Sequence, residues 1–585
     1  MNLNQPKFWS AFTSRDDLKQ FKMDALLLFA LQLRFGVDDI FTIAANSLTE
    51  GSDDKKADMV YIDTDSGHSV IAQTYLSNKL SNDEAPSNKA SDLNAAVSWL
   101  LNRPLNELPI TIKSHAEGLR RAIQDKEITT LHIWYVHNLP ESQNVTNELR
   151  TVEHTAQSAV KQNFPDSGIT DIQTLEVGVN TLEDWYESVS TPILVTDNFK
   201  IPINDGYKES SSDWQAYVTS IPAKWLYDSF RKYKTKLFSA NVRDYLGSRD
   251  VDANINYGIK NTAREDPSRF WVYNNGITVL VHEFEEIKEN DKMFIKFKGI
   301  SIVNGAQTTG AIGSLESHPD ENAMLPVRFI TCWDAQTIQN IVRYNNSQNK
   351  ITASDLRSND RIQRRLQREF QTIPNVVYSA RRGSHEDVIR RRPNLLPSVT
   401  AGQALAALHQ NPDVAYHQKT KIWVLDDLYY KYFNEQTSAK HIVFAYSLLL
   451  AAEKKKVLLL SKSKNNTLTT FETDQLHFFR LRGSTFLLSS AIATCLEVFL
   501  DKAIPNSFRL VFKENISPEQ GATIWKPIVE VASAFTSYLT NGLSDGFKNQ
   551  DAVNTAIRTF RDFIVSTKSP NSKIYAEFAK QVAVV

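Results

Sequence analysis

Asp58, Gln73 and Tyr75 are the residues from which a chemical reading starts. Asp58 lies in a short apolar run, Ala57–Ile62, and Gln73 sits in the middle of the next one, Val70–Leu76. Between them Asp63-Thr64-Asp65-Ser66-Gly67 reads as a turn, so the two runs form a strand–turn–strand unit. Strand alternation puts Gln73 and Tyr75 on one face and Thr74 on the other. Holding Mg²⁺ or Mn²⁺ requires oxygen ligands on neighbouring strands, and such an ion can activate water for phosphodiester cleavage. Asp58 and Gln73 are therefore candidate metal ligands and catalytic groups. The helix-like stretch Ser14–Phe35 comes first and places Asp17 and Asp24 on one face, with Asp24 the stronger candidate to complete the site. Such a site also needs a cation. Position 75 offers only a tyrosine, which carries no fixed positive charge near neutral pH, so Lys56 is the candidate, with Lys55 and Lys79 as alternatives.

Two further groups have the composition of a binding site. Arg357, Arg361, Arg364 and Arg368 recur at i, i+4, i+7 and i+11 along one helix-like face, with Arg365 beside them and Arg381 and Arg382 soon after. Guanidinium groups hold phosphates bidentately, so these arginines are the best local footprint for nucleic acid. Acidic neighbours such as Asp360 and Glu369 make a salt-bridged, solvated face the competing reading. The other group is Asn304-Gly305-Ala306-Gln307-Thr308-Thr309, a turn opening a helix after the apolar run Gly299–Val303. Free backbone N–H groups at a helix start, with Gln307, Thr308 and Thr309 around them, can cradle a phosphate. Arg243 and Asn275 are expected beside the same cleft if the separate blocks form one site. A turn and cap that only organise the fold is the alternative.

Around these residues the chain reads as alternating elements up to about position 190. After the hairpin, Ser91 is expected to cap a helix through Leu101, and Thr129–Val136 is a β-branched and aromatic strand. Helix 143–162, strand Ile172–Val177 and helix 180–189 follow, a pattern of strands covered by helices. Strands are expected over 270–284, 293–303 and 326–333, with a helix from about 305. Helical spacing dominates the rest, at 439–460, 474–503 and 523–542, with 461–468 as a polar loop. The fold class expected is α/β (α+β) and multidomain: an α/β unit over 1–190, a mixed α/β unit over 191–400, and a mostly α-helical region over 401–585.

Asp58, Gln73 and the preceding helix resemble the Asp and Gln motifs of the PD-(D/E)XK nuclease superfamily. That resemblance implies a divalent-metal-dependent nuclease, with Tyr75 standing where the superfamily has a lysine. A second resemblance covers about 230–400. Asn241-Val242-Arg243, Phe270-Trp271-Val272-Tyr273-Asn274-Asn275-Gly276, Ile302-Val303-Asn304-Gly305-Ala306-Gln307 and Asn345–Ile351 together resemble the AIPR family of abortive-infection phage-resistance proteins. It implies bacterial antiphage defence, with other defence-system proteins or a second copy of the chain as partners. The Asn304–Thr309 stretch is also similar, more distantly, to a loop of DndB-type and ParB-like proteins, which implies a nucleotide or DNA ligand.

Composition narrows the classes. The chain has 585 residues, 42% hydrophobic and 23% charged, with a formal net charge of −1, so no global field steers it to nucleic acid or membrane. Cys332 and Cys495 form no Cys-x-x-Cys pair, and no P-loop, Gly-x-Ser-x-Gly elbow or His-Glu-x-x-His helix occurs. Residues 1–10 lack a leader pattern and no apolar stretch is long enough to span a bilayer, so a cytoplasmic location is expected. Two functions remain open: a metal-dependent effector nuclease, or a catalytically inactive sensor that binds nucleic acid, nucleotide or a partner.

Overall fold

The computed structural model describes residues 6–37, 39–49, 53–190, 193–238, 250–334, 337–338, 341, 357, 360–379 and 395–585. The mixed α/β class is as the sequence implies, with two main sheets followed by a helical C-terminal region.

The first sheet has strands β1 (Met59–Asp63), β2 (His68–Tyr75), β3 (Thr130–His137) and β4 (Asp171–Val177) in that spatial order. β1 and β2 form the expected antiparallel hairpin, and β2, β3 and β4 run parallel, linked by helices as parallel strands must be. One face packs Val60, Ile71, Ile133 and Tyr135 against helix Ser87–Leu101 and its neighbours. The other face sends Met59, Tyr61, Val70, Ala72, Trp134 and Val136 into a second core. That core includes helix Ala25–Phe35 and most of the C-terminal helices. Every residue from Ala25 to Arg34 is buried, which is why this helix is apolar all round rather than striped.

Local chemistry moves several boundaries. The first helical stretch is broken into Asp16–Lys19, a 3₁₀ turn at Lys22–Asp24, and Ala25–Phe35. The later helix begins at Ser87 behind Pro86, so Ser91 lies inside it and bonds back to the Asn88 carbonyl instead of capping.

The second sheet has strands β5 (Val195–Ile203), β6 (Gly206–Ser210), β7 (Trp214–Pro222), β8 (Ile277–Leu280), β9 (Glu283–Glu289), β10 (Lys292–Asn304) and β11 (Met324–Cys332). Its order is β5-β10-β8-β11-β7-β6, with β9 also on β10, and β8 with β11 is its parallel pair. The expected strand 270–284 starts late, because Phe270–Tyr273 is a helical turn. Phe270 is buried while Trp271, Val272 and Tyr273 face outward, and the Asn274 side chain then accepts from the Gly276 N–H to end the turn.

In the C-terminal region a 26-residue helix, Ala439–Lys464, runs through the core and extends into the stretch expected to be a loop. The expected helix 474–503 is three pieces, Thr470–Phe479, Ser484–Thr494 and Leu496–Leu500, the first break falling at Gly483 with φ 79°. Among the described residues no helix is long and apolar enough to cross a membrane.

Candidate functional site

The hairpin register brings the predicted ligands together. Met59 pairs with Ala72, so Asp58 lies opposite Gln73, and alternation puts the two on one face. The Asp58 N–H donates to the Ala72 carbonyl at 2.9 Å, and its Oδ2 accepts from the Thr74 N–H at 2.7 Å. Gln73 is 3% exposed, and its Oε1 has no hydrogen-bond partner among the described residues. A buried amide oxygen left without a donor costs about 1–3 kcal/mol, a state Gln73 shares with the side-chain amide oxygens of Gln32, Asn46 and Gln475.

Three carboxylates share this corner. Asp24 ends the 3₁₀ turn that leads into Ala25–Phe35 and is buried, and Asp54 lies on the loop before β1. Burial, then the Asp24 charge, push the Asp58 carboxyl up to about 7, against the opposing pull of the Thr74 N–H; Asp54 adds to the rise and Lys464 reduces it. Burial is also the first cause that raises Asp24 and Asp54. A carboxyl titrating near neutrality in a cluster of like charges is a signature of functional sites.

The cation of the cluster comes from a place the sequence does not suggest. Lys464, the last residue of helix Ala439–Lys464, holds Asp24 Oδ2 with its Nζ at 2.5 Å. Burial lowers its pKa, but Asp24, Asp58 and Asp54 together outweigh this and raise it. Lys56 pairs with Asp92 at 3.3 Å while its N–H donates to Asp54 Oδ1 at 2.9 Å and its charge also acts on Asp54; Lys55 pairs with Asp53 with its Nζ 4.8 Å over the Trp99 ring. Asp17 bonds Arg15. The side chain at Tyr75 is half-buried on the Gln73 face.

The chemistry of this donor set fits a hard divalent ion: Asp58 supplies a carboxylate and Gln73 a free amide oxygen, and Mg²⁺ commonly takes one or two protein oxygens and keeps its remaining waters. Among the described residues no group of three or more His, Cys, Asp or Glu is arranged to hold a metal.

The arginines divide into two kinds. Arg357 precedes helix Arg361–Phe370, whose cap is Asp360, and so leaves the expected shared face. Its guanidinium lies 4.4 Å over Tyr429, donates to the Trp423 carbonyl at 3.1 Å and pairs with Asp426. Arg365 is also inward, donating to the carbonyls of Asn434, Glu435 and Thr437 at 2.8–2.9 Å. Arg361, Arg364 and Arg368 are exposed, with Glu435 3.5 Å from Arg361. Arg381 and Arg382 lie outside the described residues.

The central block converges, but on itself. Gly305 takes φ 89° and opens helix Ala306–Gly313, and a Cβ there would lie 2.7 Å from the Gly276 carbonyl. Thr309 is buried, and its Oγ1 donates to the Gly305 carbonyl at 2.9 Å. Thr308 is also buried, with Oγ1 3.4 Å from the Asn274 Oδ1 that accepts from Gly276. Asn304 and Gln307 are half-buried and Asn275 is exposed. Two cavities, of about 590 and 370 Å³, lie elsewhere, by Arg121 and Asp545 and by Trp214 and Arg328. Arg243 and the Asn345–Ile351 block lie outside the described residues.

Comparison with known proteins gives one family. The family described as AIPR protein matches residues 238–543, a span holding the central block, the exposed arginines and Lys464 but not Asp24, Asp58 or Gln73. No curated protein and no solved structure matches the chain.

Proposed function

The chain belongs to the AIPR family of abortive-infection phage-resistance proteins, and on that premise we propose that it acts in antiphage defence on nucleic acid, as a divalent-metal-dependent nuclease built on the Asp58–Gln73 hairpin. The observation that carries this reading is the buried, unpartnered Gln73 Oε1 opposite a carboxyl held near neutrality. Asp58 and Gln73 would hold Mg²⁺ or Mn²⁺. Such an ion supplies charge stabilisation to a phosphodiester and acidifies its bound water. Asp24 and Asp54 keep the corner negative, and the Thr74 N–H fixes the Asp58 carboxylate. Arg361, Arg364 and Arg368 offer an exposed basic face for phosphates.

A second reading is a catalytically inactive sensor that binds nucleic acid, nucleotide or a partner. Tyr75 in the lysine position favours it. Purified protein with Mn²⁺ or Mg²⁺ on plasmid, single-stranded DNA and RNA separates the two. The nuclease reading expects cleavage that falls roughly 100-fold or more in Asp58→Ala. Salt-dependent binding without cleavage, weakened when Arg361, Arg364 and Arg368 become Gln, would install the sensor instead.

A further inference from the structure

Any nuclease built on this hairpin has a gap at Tyr75, and the fold places a charge against Asp24. Lys464 Nζ lies 2.5 Å from Asp24 Oδ2, and the Lys464 charge acts on Asp54 and Asp58 as well. Its position is not accidental surface contact. The helix that carries it is buried along most of its length, from Ala439 to Leu460. It packs on helix Ile40–Ser47, and the Tyr446 hydroxyl donates to Asp39 Oδ2, just before that helix, at 3.4 Å. A helix fixed at that many points delivers its last residue to a set place, whereas a lysine on a loop would spend more conformational entropy to reach it. The Lys464 side chain is 33% exposed while that of Asp24 is 9% exposed, so the lysine is the partner in part reached by solvent.

We infer that Lys464 is the cation of the hairpin site, in place of the lysine missing at Tyr75, so that the site is complete only when the C-terminal helix is docked on the N-terminal sheet. This rests on the nuclease reading above. It makes the site composite: the metal-holding oxygens come from outside the family match and the cation from inside it. The end of this helix would then set activity, because displacing it takes the charge away from Asp24.

The competing role for Lys464 is plain helix capping, since a cation in the last turn also suits the helix dipole. Metal affinity separates the two. A positive charge beside a bound ion weakens its binding, whereas a structural support strengthens it. In full-length protein, Mn²⁺ binding is read by electron paramagnetic resonance and cleavage on the three substrates above, for wild type, Lys464→Met and Lys464→Arg. The expected result is cleavage roughly 100-fold slower in Lys464→Met, together with tighter Mn²⁺ binding and a lowered melting temperature, since buried Asp24 loses its partner. Lys464→Arg is expected to recover most of the rate. Wild-type cleavage by Lys464→Met overturns the inference, and so does a parallel loss of cleavage and Mn²⁺ affinity. A wild type that binds Mn²⁺ but cuts nothing overturns the nuclease reading instead, and Mn²⁺ affinity then decides whether Lys464 belongs to the ion's surroundings.

Discussion

The Asp58–Gln73 hairpin and the Asn274–Thr309 block both gather polar residues at the end of a buried strand, yet they treat those residues in opposite ways. In the central block the polar groups satisfy one another. Thr309 bonds the Gly305 carbonyl, and Asn274 accepts from Gly276 with Thr308 close by, while the two glycines bring their backbones into contact. In the hairpin Gln73 Oε1 has no donor among the described residues, and Asp24, Asp54 and Asp58 all feel the Lys464 charge. A satisfied buried network rigidifies a fold, and an unsatisfied one is retained at a cost that a ligand can offset. The family match over 238–543 takes in the self-contained block. Of the candidate chemistry, Asp24, Asp58 and Gln73 lie outside the match and Lys464 inside it.

The largest effect that could break this contrast belongs to Gly276→Ala. Its φ is 75°, and a Cβ would fall 2.3 Å from the Pro326 carbonyl oxygen on the neighbouring strand. Strain and overlap together should cost about 3 kcal/mol or more, seen as a large drop in melting temperature. A variant that melts like wild type would mean that the block is not a folding device.

Next in size is the pH dependence of the metal-free hairpin. Asp58 binds its proton more tightly in the folded chain, at about 7, than at its ordinary value of 3.8. The wild type therefore loses stability as pH rises through that interval and loses none below it. Asp58→Asn removes the titration, so it should be more stable than wild type by about 2 kcal/mol at pH 8, with the gap closing towards pH 4. Denaturant melts in chelator at the two pH values would show this. An equal difference at both would mean that the carboxyl is not held near neutrality.

These two regions also show what a sequence discloses. The hairpin was readable because turn residues bounded two alternating runs, and register then followed by counting from Asp63-Thr64-Asp65-Ser66-Gly67. Lys464 was not readable, because its role depends on a contact with Asp24 across most of the chain, and its local context, Ser461-Lys462-Ser463-Lys464, looks like a solvated loop. The Arg357 and Arg365 side chains were misplaced for a related reason. Spacing reports which way a helix face points, but not whether a carbonyl or an aromatic ring waits there. At Phe270–Tyr273, β-prone residues form a helical turn because burying Phe270 and closing the Asn274 turn outweigh propensity.

A smaller effect sharpens the central half of the comparison. Thr309→Val keeps the shape and removes one hydroxyl bond to a carbonyl that still accepts from the Thr309 N–H, so the loss should be about 1 kcal/mol. Gln307→Ala, half-buried on the same helix, should change stability less than that. If chemical melts reverse this order, Gln307 rather than Thr309 is the residue the block depends on.

The smallest expected change is also the most direct probe of the hairpin. Gln73→Met replaces a buried amide by an apolar chain of similar length, and volume-conserving swaps in a core are well tolerated. Most polar truncations in a core destabilise, since they strand a partner. Here the Oε1 of Gln73 has no partner to strand, so the metal-free protein should hold steady or gain a few tenths to about 1 kcal/mol. Mn²⁺ binding should fall at the same time, because a thioether is a poor ligand for a hard ion. Stability measured by denaturant melts in chelator and Mn²⁺ affinity would thus move in opposite directions. A clear loss of stability would show that Gln73 is part of the scaffold, like Thr309. Unchanged Mn²⁺ affinity would remove Gln73 from the metal site and leave Asp58 as its remaining proposed ligand.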